Sequence, residues 1–125
     1  MNQTSLLLTV EGEIIPKKNS KRLIMAGGRP RLISSVKYLE WEESAVEQLE
    51  RQFKGYIVTD YPIEIACTVY YGSRRRKDLD NSLGSIMDAL VKAGVILDDD
   101  INHVCKISIA YGGLDKDHPR AEILL

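Results

Sequence analysis

The sequence predicts a small α/β domain of the α+β type, with a mixed sheet and two main helices in the order β-α-β-α-β-β. Three observations carry that expectation. The chain has 125 residues, the size of one domain with room for a modest core. Two stretches, Ile63 to Tyr71 and Ile101 to Ala110, alternate apolar and polar residues with period two. Two others, from Ser34 to Phe53 and from Asn81 to Ala93, repeat apolar residues at helical spacing.

Taken in order, Ser5 to Glu11 reads as a first strand with Leu6, Leu8 and Val10 on one face. The segment from residue 16 to 31 reads as a loop, punctuated by Pro16, Asn19-Ser20, Gly27-Gly28 and Pro30. A structureless segment of that length inside a small domain is often functional. Ser34 or Ser35 caps the first helix, which carries Leu39, Val46, Leu49 and Phe53 as its apolar stripe, widened by Trp41 and Ala45. Glu40, Glu43, Glu47 and Glu50 form its wet face, and Gly55 stops it. Ile63, Ile65, Cys67 and Val69 share the buried face of the next strand. Asp80 reads as the N-cap of the second helix, with Leu83, Ile86, Met87, Leu90 and Val91 facing inward and Gly94 at the left-handed C-cap. Ile101, His103, Cys105, Ile107 and Ile109 line one face of the following strand, and Ala121 to Leu125 adds a last one. No linker or internal repeat interrupts residues 1–125, so a single domain is expected.

The net charge of -1 conceals strong segregation. Between Gly12 and Lys37 lie seven bases (Lys17, Lys18, Lys21, Arg22, Arg29, Arg31 and Lys37) and one acid, Glu13. Tyr38 to Glu64 holds seven acids and two bases. Arg74-Arg75-Arg76-Lys77 is a compact basic run. Opposed patches of this kind fit polyanion binding, whereas a histone-like basic protein is excluded. Two cysteines in different segments make neither a zinc cluster nor a disulfide framework. No apolar run is long enough to span a bilayer, and the start lacks the features of a signal peptide, so a soluble cytoplasmic protein is expected.

The basic run leads directly into Asp78-Leu79-Asp80-Asn81, between a strand and a helix. A second acidic group, Asp98-Asp99-Asp100, follows the helix. If the groups meet, they supply three or more hard oxygen ligands, suited to Mg²⁺ or Mn²⁺ rather than zinc. Carboxylates gathered beside bases make sense where a metal and a phosphate share one place. A bland alternative uses one acid as a helix cap and the rest as surface charge.

The segment RRRKDLDNSLGSIMDALVKAGVILDDDINHV closely resembles the signature region of the RusA-like Holliday junction resolvases, with looser similarity over most of the chain. The resemblance implies a bacterial or phage-encoded homodimer that binds four-way DNA junctions and nicks paired strands with Mg²⁺ or Mn²⁺. By motif match its catalytic, metal-holding acids fall on Asp78, Asp80 and Asp99, with Asp98 as their neighbour. The family's N-terminal loop falls on residues 16–31, which places Lys17, Lys18, Asn19, Lys21, Arg22, Arg29 and Arg31 with Arg74, Arg75, Arg76 and Lys77 as DNA contacts. The family has a functional lysine four residues after the second aspartate; here that position is Gly84.

The remaining candidates read as structure. His103 and Cys105 fall with the apolar face of their strand, Cys67 reads as a buried thiol, and His118 as a surface residue. Tyr70 and Tyr71 pack in their strand or, alternatively, one stacks on a base. Two competing functions remain: a branched-DNA-binding protein that cuts weakly or not at all, suggested by Gly84, and a metal-stabilised interaction module.

Overall fold

The computed structural model describes residues 5–17, 21–54 and 58–125. A four-stranded sheet has the order β1-β6-β4-β5, built from β1 (Leu7–Glu11), β4 (Ile63–Tyr71), β5 (Val104–Leu114) and β6 (Arg120–Leu124). Its helices are α1 (Val36–Phe53) and α2 (Leu79–Lys92), and a separate hairpin pairs β2 (Lys21–Ala26) with β3 (Arg29–Ser34). β6 pairs antiparallel with β1 and β4, whereas β4 and β5 are parallel and joined through α2. A parallel pair needs such a crossover, and a helix supplies it.

Both helices cover one face of the sheet. Leu8, Val10, Ile65, Cys67, Val69, Tyr71, Ala121 and Ile123 point into that layer. α1 adds Tyr38, Trp41, Ala45, Leu49 and Phe53, and α2 adds Ile86, Met87, Ala89 and Leu90. Leu39 is 46% exposed, because it lies about 100° round the helix from Tyr38, which takes the inward position instead. Ser35 caps α1 by accepting a hydrogen bond from the Tyr38 N–H at 3.1 Å. Gly94, at φ +76°, ends α2 as the spacing predicts. Gly55 lies outside the described residues.

The free edge of β1 is closed by side chains rather than by another strand. Gln52 accepts from the Thr9 N–H at 2.9 Å and donates to the Thr9 carbonyl at 2.6 Å. Gln48 does the same for Glu11, at 2.7 and 3.2 Å. Two glutamine amides, one helical turn apart on α1, thus satisfy the backbone that an edge strand leaves open.

The other edge, β5, departs from the sequence expectation. It begins at Val104, and Ile101 and His103 lie in a turn before it. Ile101 and Cys105 are exposed, and Ile107 is half-exposed. Period-two alternation marks two faces but not which strand is outermost, and β5 has a sheet neighbour on one side only. Cys105 sits at a register shift between Val104 and Lys106, so it is not the buried thiol expected. Cys67 is buried, and burial pushes its thiol up to about 12. A second shift, near Tyr70, brings the Gly112 backbone so close to the Tyr70 ring that a Cβ there would lie 2.6 Å from it.

The expected loop at 16–31 is largely a hairpin. Gly27 and Gly28 both have positive φ, +58° and +77°, the backbone of a two-residue turn whose twist matches the flanking strands. Read as loop punctuation, the Gly-Gly pair hid the strands on either side of it.

A buried polar link joins the helices. The Tyr38 hydroxyl donates to Glu42 at 2.5 Å, and the Lys92 ammonium donates to the same carboxylate at 2.6 Å. Burial pushes the Glu42 carboxyl up, but the hydrogen bonds from Lys92 and Tyr38 outweigh it and hold the group below its ordinary value. A carboxyl with a lowered folded-state pKa contributes stability above its unfolded pKa and loses it as pH falls through the folded value. Glu42→Gln should therefore flatten the loss of chemical-denaturation stability below about pH 4.5, near the unfolded carboxyl value. It should also cost about 2 kcal/mol at pH 7, typical of a lost charged hydrogen bond. Parallel pH profiles for the two proteins would show that other acids set the acid limit.

Candidate active site at the amino end of α2

The parallel strands β4 and β5 end beside the start of α2, the position where open α/β sheets form crevices. β4 ends at Tyr71, which is buried and held by a 2.7 Å hydrogen bond between its hydroxyl and Ser82 on α2. Burial raises the Tyr71 phenol, and the nearby carboxylates of Glu13 and Asp78 raise it further, against a lowering by Ser82. The chain then runs through the exposed Arg74, Arg75 and Arg76 to the half-buried Lys77.

Asp78, rather than Asp80, is the N-cap residue of α2, and its side chain makes no capping hydrogen bond. Asp80 lies in the first helical turn. The helix starts two residues before the predicted position because Leu79 enters the first turn and packs against the core. Both carboxylates stand at the positive end of the helix, which offsets part of their mutual repulsion. Asp78 Oδ1 is 3.8 Å from the Arg76 guanidinium, and its other oxygen is 3.5 Å from the Asn81 amide. These are long contacts that leave the oxygens available.

Glu13 is the residue that the sequence reading missed. Its Oε1 accepts from the Gly72 N–H at 2.9 Å and lies 3.7 Å from the Lys77 ammonium. It ties the segment after β1 to the segment carrying the basic run. One signal existed: Glu13 is the lone acid among seven bases between Gly12 and Lys37. Ser85 makes a second tie, donating to the Ile15 carbonyl at 2.8 Å and accepting from the Lys17 N–H at 3.2 Å.

The second acidic group lies past the other end of α2. That helix has 14 residues, so roughly 21 Å separates its ends. Asp98 accepts from the Asp99 N–H at 2.8 Å. Asp100 binds His103 Nδ1 at 2.6 Å and the Asn102 N–H at 3.1 Å, and His103 draws the Asp100 carboxyl below its ordinary value. The His103 ring packs edge-on against Tyr61, with centroids 4.8 Å apart. Asp99 is exposed. One chain therefore places Asp78 and Asp80 at the amino end of α2 and leaves Asp99 past its other end. Among the described residues, no three His, Cys, Asp or Glu side chains are placed to hold one metal ion. Asp78 and Asp80 alone suit Mg²⁺ in kind, since that ion commonly takes one or two carboxylates with water and substrate phosphates.

Residues 11–125 match the family model described as Endodeoxyribonuclease RusA. The chain belongs to the RusA family of endodeoxyribonucleases. It is also similar to a protein of Aquifex aeolicus (strain VF5) named Crossover junction endodeoxyribonuclease RusA, with 36% identity over 87 residues, covering 70% of this chain and 68% of the relative.

In this RusA-family chain the hairpin sorts its side chains cleanly. The cross-strand pairs Arg22–Ile33, Ile24–Arg31 and Ala26–Arg29 put all three arginines on one face. Leu23, Met25 and Leu32 occupy the other and are 66%, 69% and 65% exposed. Lys17 is exposed and pairs with Asp88 at 3.7 Å. Lys18 and Asn19 lie outside the described residues, and Lys21 opens β2. Gly84 is exposed on α2, and a Cβ there would meet nothing within 4 Å. His118 pairs with Glu11 at the surface, and Tyr70 lies under the Arg120 guanidinium at 3.9 Å. No helix is long and apolar enough to cross a membrane among the described residues.

Proposed function

We propose that this RusA-family chain resolves four-way DNA junctions as a homodimer in the cytoplasm, cutting paired strands beside Asp78 and Asp80. The observation that carries the reading is the pair of weakly engaged carboxylates at the amino end of α2, flanked by Arg74 to Lys77. Mg²⁺ or Mn²⁺ held there would supply an activated water and neutralise charge on the phosphodiester. The arginines of the basic run and of the hairpin, with Lys17 and Lys77, attract and orient the strand. The motif match supports Lys18, Asn19 and Lys21 as further DNA contacts. Glu13, by holding the Lys77 segment against the sheet, keeps one cation close to the acids.

Asp99 completes the acid set from a second copy. A two-fold axis across the middle of α2 exchanges its ends, so each partner's Asp99 and Asp98 approach the other's Asp78 and Asp80. Two composite sites related by that axis suit paired cuts in a roughly symmetric substrate. A labelled four-way junction, compared with linear duplex with and without Mn²⁺, tests the reading. Metal-dependent paired nicks on the junction alone are expected, and equal cutting of linear duplex overturns it.

Gly84 favours a second reading, in which the chain binds branched DNA selectively but cuts slowly. A lysine at 84 would lie one turn beyond Asp80, where a cation favours negative charge developing during transfer. The open space around Gly84 admits the side chain. Single-turnover cleavage by Gly84→Lys should exceed that of the parent and of two controls, Gly84→Ala and Gly84→Gln, by on the order of tenfold. The alanine control removes the helix gain from replacing a mid-helix glycine, about 1 kcal/mol. A parent rate already at or above the lysine variant would show that another cation fills the role.

A further inference from the structure

The carboxyl ends of β4 and β5 open onto a cleft of about 650 Å³ that the acids themselves do not occupy. Its apolar wall is formed by Tyr71, Tyr111 and Leu79, and its charged wall by Arg74, Arg75 and Lys77. The two tyrosine rings lie 5.8 Å apart, tilted by 33°. Tyr71 is buried and fixed through Ser82, and the Lys77 ammonium stands 5.8 Å from its ring. Tyr111 is different: its side chain reaches the cleft while the residue remains 53% exposed.

An exposed aromatic face beside three cations matches a flat aromatic group attached to a phosphate. In a DNA strand that group is a base turned out of its stack, which proteins hold by stacking on aromatic side chains above a positively charged track. Asp78 sits between Lys77 and Leu79, both of which line the cleft. A base in the cleft therefore belongs to a nucleotide close to the phosphate at the acids. We propose that the cleft receives an unstacked nucleobase flanking the cut phosphodiester, and that Tyr111 stacks on it and makes cleavage depend on which base is there. This inference rests on the junction-cutting reading above for its consequence, but not for its binding chemistry.

Two measurements on Tyr111→Ala and Tyr111→Phe test the proposal. On junctions that differ only in the base flanking the cut, single-turnover rates of the parent should spread severalfold, purines above pyrimidines, because every base can stack and only the strength of the stack differs. The spread should collapse in Tyr111→Ala and survive in Tyr111→Phe. Anisotropy with a short single-stranded oligonucleotide needs no cleavage: Tyr111→Ala should bind roughly tenfold more weakly, and Tyr111→Phe nearly as tightly as the parent. Unchanged oligonucleotide binding by Tyr111→Ala overturns the proposal, whether or not junctions are cut. A parent that cuts no junction but shows the oligonucleotide effect overturns the junction reading and leaves the cleft assignment standing. Sedimentation supplies the last check, because a Tyr111→Ala protein that becomes monomeric where the parent is dimeric would assign the ring to the subunit interface and overturn the proposal.

Discussion

The Asp80→Asn protein should bind a four-way junction at least as tightly as its parent and cut it roughly 10³-fold more slowly, the scale seen when one group aimed at a reacting centre is lost. Asn has nearly the shape of Asp, so the first turn of α2 keeps its packing. What changes is one negative charge beside Arg74, Arg75, Arg76 and Lys77. Removing it weakens the hold on a divalent cation and also removes a repulsion toward phosphate, so cleavage and affinity should move in opposite directions. The helix loses a favourable charge at its positive end, about 0.5 kcal/mol for an exposed residue. A small drop in melting temperature is thus expected, too small to explain the loss of rate. Gel-shift affinity in Ca²⁺ and single-turnover cleavage in Mg²⁺ separate the two effects. Parent-like cutting by Asp80→Asn would reduce the residue to a helix-end charge. Asp78→Asn should behave alike, because Asp78 makes no capping hydrogen bond that its replacement would break.

The elements with one wet and one dry face were legible in the sequence. β4 alternates because helices cover only one side of it, and α2 shows its stripe because it packs on that side. Ser35 and Gly94 announced the start of one helix and the end of the other through the backbone positions they favour. The hairpin was not legible in this way. Neither of its faces is fully buried: Leu23, Met25 and Leu32 are exposed on one, and Ile24 and Ile33 share the other with the three arginines, so apolar residues fall on both faces and leave no contrast to read. The edge position of β5 was hidden for another reason, since it depends on which strands pair rather than on the composition of any one. The site divides along the same line. The resemblance marked Asp78, Asp80 and Asp99 and periodicity put a helix between them, but nothing local reveals whether the segment after that helix returns Asp99 to the other two acids. Glu13 stood out only as the lone acid among seven bases, and its role stayed hidden because its partners, Gly72 and Lys77, lie about sixty positions away in the chain.

Mixing two inactive proteins should restore strand nicking. Within one chain, Asp80 and Asp99 stand at opposite ends of a helix of 14 residues, roughly 21 Å long. No rotamer change spans that distance, so a site using both must draw them from two copies. In the proposed dimer, Asp80→Asn and Asp99→Asn should each be dead as homodimers, since every composite site would carry a defect. In a heterodimer of the two, both substitutions fall in the same site. The other site combines the intact Asp78 and Asp80 of the Asp99→Asn subunit with the intact Asp99 of the Asp80→Asn subunit. Co-expression with two affinity tags would isolate that species. It should nick one strand of a labelled junction on the order of 10²-fold faster than either homodimer, without the paired cut of the parent. A single-nick product also rules out simple reassortment to parent dimers, which cannot form from these two chains. If each site were instead built within one chain, both subunits of the heterodimer would be defective and no activity would return. That outcome would require α2 to break or the segment from Gly94 to Asp100 to fold back along it, and Asp99 would then have to reach the amino end of its own helix.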